Sequence, residues 1–116
     1  MNKKEIGNMG EYIASKYLEN LKYEIIKRNY YTRFGEIDII AKKENEIIFV
    51  EVKTRCNNLF GSPAESINNT KKKHIYKSAK YFLYKTKQEE SFTRFDVIEI
   101  YIIDKEIRIK HLKQIM

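Results

Sequence analysis

The sequence predicts an α/β fold with elements in the order α-β-β-β-α-β-β, and three observations carry that prediction. Apolar residues recur at helical spacing near the N-terminus; two acid-bearing strands flank a short polar break in 36-EIDIIAKKENEIIFVEVKT-54; and a lysine-rich helical stripe precedes two further strands. The 116 residues, 42% hydrophobic and 34% charged with four glycines and one proline, suit a single folded domain spanning 1–116 rather than a disordered chain.

The first element is an amphipathic helix over 3–21. Ile6, Gly10, Ile13, Ala14, Tyr17, Leu18 and Leu21 share one face, and Lys16, Glu19 and Lys22 lie opposite. Gly7 and Gly10 sit on or beside that face, where a missing Cβ lets a helix approach a sheet closely. Glu11 lies at the margin of the same stripe, from which it reaches the sheet surface or simply faces solvent.

Three strands follow as a meander: 23–33, rich in β-branched and aromatic residues, then 36–42 after Phe34-Gly35, then 46–54 after Glu44-Asn45. In 62-SPAE-65, Ser62, Pro63 and Glu65 form a capping-box pattern that opens a second helical region, restarting at Asn69 or Thr70. Its later part buries Ile75, Ala79, Phe82 and Leu83, while lysines crowd the remaining surface. Strands over 93–103 and 106–112 close the chain around Asp104-Lys105.

A two-residue turn at Glu44-Asn45 pairs Lys43 with Glu46, Ile39 with Val50, Ile37 with Val52, Asp38 with Glu51 and Glu36 with Lys53. This register gathers Ile37, Ile39, Ala41, Ile48, Val50 and Val52 on one apolar face. Glu36, Asp38, Glu51 and Lys53 then cluster on the other. Like charges about 4 Å apart repel by about 4 kcal/mol at an effective dielectric of 20, so the cluster needs compensation. Two readings fit. Either an edge hairpin displays solvated charges and the lysine neutralises an acid, or Asp38 and Glu51 hold a hard divalent cation, Mg²⁺ or Mn²⁺, with Lys53 placed to hold an attacking water or stabilise phosphate charge.

The 23 Lys and Arg against 16 Asp and Glu give a formal charge of +7, a bias towards polyanions. Lys71, Lys72 and Lys73 at a helix start, with Lys77 and Lys80 beyond, form a candidate phosphate-binding surface, or a face kept charged for solubility. Arg55, two residues past Lys53, is a candidate phosphate clamp. The tyrosines, Tyr30, Tyr31, Tyr81 and Tyr84 among them, are expected to complete the core rather than stack on bases. Asp96 beside Arg94 is read as a structural pair. Cys56, His74 and His111 lack partners at metal or triad spacing and receive no role. The longest uncharged apolar stretches, such as 47-IIFV-50, fall far short of the roughly 20 residues of a membrane span, so a cytoplasmic protein with no membrane partner is expected.

An acid, Asp38, followed after twelve residues by 51-EVK-53 resembles the PD-(D/E)xK nuclease superfamily. The blocks 10-GEYIA-14, 35-GEIDIIA-41, 49-FVEVKTR-55, Gly61, Lys71 and 94-RFDVI-98 together resemble the bacterial YraN family, uncharacterised protein family 0102, across most of the chain. The resemblance implies a restriction-endonuclease-like mixed five-stranded sheet with flanking helices, similar to Holliday-junction resolvases. It implies Asp38 and Glu51 as metal ligands, Lys53 as catalytic lysine and Glu11 as a further active-site acid. The functional expectation is a Mg²⁺-dependent endonuclease acting on DNA, with branched or damaged DNA as candidate substrates. The alternatives are a nucleic-acid-binding module with the nuclease fold and no activity of its own, or an interaction domain whose charge keeps it soluble. A symmetric homodimer would give a resolvase-like enzyme two opposed sites.

Overall fold

The computed structural model describes residues 1–56 and 69–115. The expected helix start at Ser62, Pro63 and Glu65, and the Gly61 position, lie outside the described residues.

Helix α1 spans Lys3–Asn20. Its start is a capping box in which the Glu5 N–H donates to Asn2 Oδ1 at 2.8 Å and the Asn2 N–H donates to Glu5 Oε1 at 3.3 Å. It ends where Lys22 turns left-handed (φ 72) and the Tyr23 N–H returns to the Leu18 carbonyl at 3.0 Å, a Schellman closure made with lysine where glycine is usual.

Strands β1 (Glu24–Thr32), β2 (Gly35–Lys43) and β3 (Glu46–Cys56) form the expected meander; α2 (Asn69–Lys85) leads to β4 (Phe92–Ile103) and β5 (Glu106–Leu112). The result is one five-stranded sheet ordered β1-β2-β3-β4-β5. It is mixed: β3 and β4 run parallel, from Glu46 opposite Phe92 to Cys56 opposite Ile102, and the other pairs are antiparallel. A parallel pair needs a crossover, and α2 lies within it.

The sheet separates two cores. On the α1 side Ala14 and Leu18 pack with Ile39, Ala41, Ile48, Val50, Ile98 and Ile100. On the α2 side Ala79 and Phe82 pack with Ile37, Ile40, Ile47 and Phe49. Gly10 rides so close to β3 that a Cβ there would fall 1.8 Å from Thr54 Oγ1. This close seat fixes the height of Glu11 above the sheet. No helix among the described residues is long and apolar enough to cross a membrane.

Asp96, fully buried, anchors a polar network on the α1 side. Arg94 donates to both its oxygens at 2.9 Å, His111 Nε2 lies 2.7 Å from Oδ2, and the Gln114 N–H donates to Oδ1 at 3.0 Å. The far side of the His111 ring meets the Tyr17 hydroxyl at 2.9 Å, and Arg94 also donates to the Tyr23 hydroxyl at 2.7 Å. Strands β4 and β5 and the end of α1 are thereby tied through one carboxylate, in the structural role expected of Asp96.

The hairpin register between β2 and β3 is as expected near its turn, with Lys43 opposite Glu46 and Ile39 opposite Val50. It then departs from expectation. The ladder ends at Ile39, so the expected pairs of Asp38 with Glu51, Ile37 with Val52 and Glu36 with Lys53 are not made. Instead the Val52 N–H donates to Asp38 Oδ2 at 2.8 Å, a side chain substituting for a backbone acceptor where the strands diverge. Ile37 is also not on the face of Ile39; it packs with Ile40 and Phe49 on the α2 side. Strict alternation thus fails between Ile37 and Ile39, and across from this point in β1, between the Arg28–Ile39 and Tyr30–Ile37 pairs, Asn29 is left-handed (φ 52).

Candidate active site: an acidic cluster where two strands diverge

The open end of the β2–β3 hairpin, the middles of β1 and α1 and the start of α2 meet at one place. Glu11 comes from α1, Asn29 from β1, Glu36 and Asp38 from β2, Glu51 and Lys53 from β3, and Lys71 from α2. Carboxylate oxygens of Glu11, Glu36 and Asp38 lie within 4.8 Å of one another. With its amide nitrogen turned to the acids, Asn29 donates to Glu11 Oε1 at 2.8 Å and Glu36 Oε1 at 3.0 Å. The left-handed residue within β1 thus presents a donor to two acids, an outlier of the kind that collects at functional sites.

The electrostatics of the cluster are unfavourable to three charges. Burial pushes the Asp38 carboxyl up to about 8, with Glu51, Glu11 and Glu36 adding to the rise and the Val52 N–H opposing it. Burial likewise raises Glu11, helped by Glu36 and opposed by Arg28. Glu36 is raised by burial and by Glu51, against the pull of Lys71. At neutral pH the Asp38 carboxyl therefore retains its proton unless positive charge arrives.

Glu51, 5% exposed, is held differently. Lys71 Nζ forms a close ion pair with Glu51 Oε1, and Lys53 Nζ lies 3.7 Å from the same oxygen. Desolvation lowers the pKa of Lys53, and the neighbouring Lys71 lowers it further. For Lys71, desolvation is outweighed by Glu51, and its pKa is raised. The two ammonium groups share one carboxylate, and Lys53 is the one more ready to give up its proton.

The residues singled out from sequence fall into three groups. Glu11, Asp38, Glu51 and Lys53 converge at the hairpin mouth. Lys71, expected on a phosphate-binding surface, reaches into the cluster instead. Of the remaining cations, Arg55 lies further along β3 opposite Tyr101, and Lys73, Lys77 and Lys80 are exposed along α2 with Lys72 half-buried. Asn29 was not legible as a site residue, although asparagine inside a β-branched and aromatic run is a poor strand former and tolerates a left-handed backbone.

Tyrosine placement departs from expectation as well. Tyr30 packs edge-on against Phe82 in the core, 5.4 Å between ring centres. Tyr31 and Tyr84 are instead 72% and 65% exposed, and Tyr81 is also exposed. A helix turning every 3.6 residues that buries Ala79 and Phe82 leaves positions 81 and 84 on the outside.

The donor set suits a hard cation. Three carboxylates converge, burial and then neighbouring acids raise their pKa values, and among the described residues no sulfur or imidazole joins the group. Comparison with other proteins leads to a family. Residues 10–100 match the Uncharacterised protein family UPF0102. A UPF0102 protein of Caldicellulosiruptor saccharolyticus is 48% identical over 102 residues, covering 88% of this chain and 86% of the relative. One from Clostridioides difficile is 48% identical over 112 residues, 97% of this chain and 96% of its own, and one from Clostridium tetani is 50% identical over 97 residues, 84% and 80%. With the match spanning every element from α1 into β4, this chain belongs to the uncharacterised protein family UPF0102.

Proposed function

We propose that this protein is a divalent-metal-dependent endonuclease of the PD-(D/E)xK kind that hydrolyses phosphodiester bonds of DNA in the cytoplasm. The observation that carries the reading is the convergence of Glu11, Glu36 and Asp38 at the point where β2 and β3 part, with Lys53 on β3 held against the neighbouring Glu51. Mg²⁺ or Mn²⁺ would be held by Asp38 with Glu11 and Glu36, and Glu51 lies close enough to raise the Asp38 pKa.

When bound, such an ion supplies neutralisation of phosphate charge and a more acidic water. The chain's own residues do the rest. Lys53 Nζ, its pKa lowered, is fitted to exchange a proton with an attacking water, and Glu51 keeps that nitrogen in place. Asn29 holds Glu11 and Glu36 so that their oxygens stay converged. Lys71, Arg55 and the α2 lysines place positive charge along the approach of a phosphate backbone.

The test is cleavage of single-stranded, duplex and branched DNA with Mn²⁺ or Mg²⁺, alongside calorimetric titration of the metal. Cleavage and metal binding by wild type, both lost in Asp38→Asn, are expected. Cleavage unaffected by Asp38→Asn, or absent from wild type on every substrate, overturns the reading. A second reading, a binding module that does not cleave, draws on Lys71, which already occupies Glu51. It predicts salt-sensitive DNA binding in EDTA that survives Glu51→Gln.

A further inference from the structure

Beyond the acidic cluster, the β1–β2 turn and the outer face of α2 enclose an open groove of about 480 Å³. Its walls include Arg33 and Phe34 from the turn and Lys77, Lys80, Tyr81 and Tyr84 from the helix, with one carboxylate, Glu89, among the lining. On α2, positions 77, 80, 81 and 84 are spaced by three and four, so they form one stripe. Tyr31 continues the aromatic surface on the far side of the turn.

The groove is built on a fixed frame. The Phe34 N–H donates to Thr32 Oγ1 at 3.0 Å, and that hydroxyl lies 2.7 Å from Ser78 Oγ on α2, which pins the turn to the helix. Its rings already attract cations: Arg33 sits 4.9 Å and Lys77 5.8 Å from the Phe34 ring centre, and Lys85 6.0 Å from that of Tyr81. A surface pairing exposed rings with cations recognises a ligand that pairs planar rings with anions. Unpaired nucleotides have that chemistry, with the base against the ring and the phosphate against the ammonium or guanidinium. A duplex hides its base faces and cannot use the rings.

The groove also leads to the cluster. Along one side of α2, Lys71 meets Glu51, His74 lies against Gly35, Lys77 stands over Phe34, and Tyr81 and Tyr84 close the far end. That path is about 20 Å long at 1.5 Å per residue. Phe34 itself stands two residues before Glu36, about 7 Å along the strand.

We propose that this groove binds single-stranded nucleic acid by base stacking and feeds an unpaired strand, or the unpaired arm of a branched substrate, towards the Glu11–Glu36–Asp38 cluster. The proposal rests on the nucleic-acid reading above, but not on cleavage, and its test separates the two.

The full chain is titrated, in EDTA, into a fluorescein-labelled single strand of about 20 thymidines, a duplex of equal length and a polyglutamate peptide, with anisotropy as readout. Wild type is expected to prefer the single strand. Tyr81→Ala with Tyr84→Ala is expected to weaken single-strand binding about tenfold or more while changing duplex binding less than about twofold. Tyr81→Phe with Tyr84→Phe keeps the rings and is expected to keep the affinity. Lys77→Ala with Lys80→Ala should lower the salt slope by about two. Circular dichroism confirms that each variant is folded. Unchanged single-strand affinity in the folded double-alanine variant, or equal wild-type binding to duplex or polyglutamate, overturns the proposal. Single-strand preference without cleavage in Mn²⁺ sinks the nuclease reading and leaves the groove standing.

Discussion

Asp38 and Asp96 lie on β2 and β4, on either side of β3, and their surroundings are opposite. Asp96 has no solvent exposure, yet hydrogen bonds from His111, Arg94 and the Gln114 N–H overcome its desolvation and hold its pKa below the usual range. Asp38 receives one backbone hydrogen bond among three other acids, and its pKa rises to about 8. The difference lies in neighbours rather than in burial. A buried carboxylate ringed by donors is part of the scaffold, whereas one ringed by acids is held at a cost the fold gains nothing from.

The strongest way to break the contrast is Asp96→Ala, which leaves Arg94 and His111 facing a hole. It should cost about 3–5 kcal/mol in urea unfolding. Loss of less than about 1 kcal/mol would show that the network does not hold β4, β5 and α1 together.

Asp38→Asn should act in the other direction. Asparagine keeps an oxygen for the Val52 N–H and carries no charge, so stability at pH 8 should rise by about 1–3 kcal/mol. The sign follows from linkage. The folded Asp38 carboxyl keeps its proton to about pH 8 while the unfolded one loses it near 4, so its favourable contribution is full below about pH 4 and is lost as pH rises towards 8. The gain from Asp38→Asn should therefore vanish at pH 4. For Asp96, whose folded pKa is lowered, the contribution is present above the unfolded value and is lost as pH falls through the folded one. A thermal-unfolding pH series on both variants checks both signs.

Glu11→Gln sharpens the same contrast more gently. Glu11 is raised by burial and by Glu36, but it is only half-buried and solvent screens its charge, so relieving that charge should stabilise by only about 0.5 kcal/mol at pH 8. In carboxyl NMR titrations it should also lower the pKa of Asp38, because Glu11 is one of the groups raising it.

The sequence made the scaffold and half of the cluster legible. Element order followed from periodicity, and the Glu44-Asn45 turn set the β2–β3 register as far as Ile39 and Val50. Alternation then predicted a backbone pairing of Asp38 with Glu51, which is not made because the strands diverge beyond Ile39, although the two carboxylates still lie close enough to interact. The left-handed Asn29 and the divergence of β2 from β3 are departures from regularity, and Asn29 donates to Glu11 and Glu36 where they meet Asp38. Lys71 was visible as a charge but not as a partner of Glu51, since a contact between α2 and β3 depends on how the helix is set against the sheet. Tyr81 and Tyr84 were counted towards the core because composition does not say which side of a helix is covered.

Lys71 on Glu51 also sets a threshold. An ammonium tethered to the same chain competes for that carboxylate at the effective concentration of an intramolecular partner, millimolar or above. On the proposed reading, a dication held by the three converged acids leaves the Lys71–Glu51 ion pair in place, whereas one that also recruits Glu51 has to displace it, so the first mode needs less free metal. Metal titrations should then rise in two stages, and Lys71→Ala should draw the second stage down towards the first. In that sense the helix carries a built-in counter-ion for Glu51.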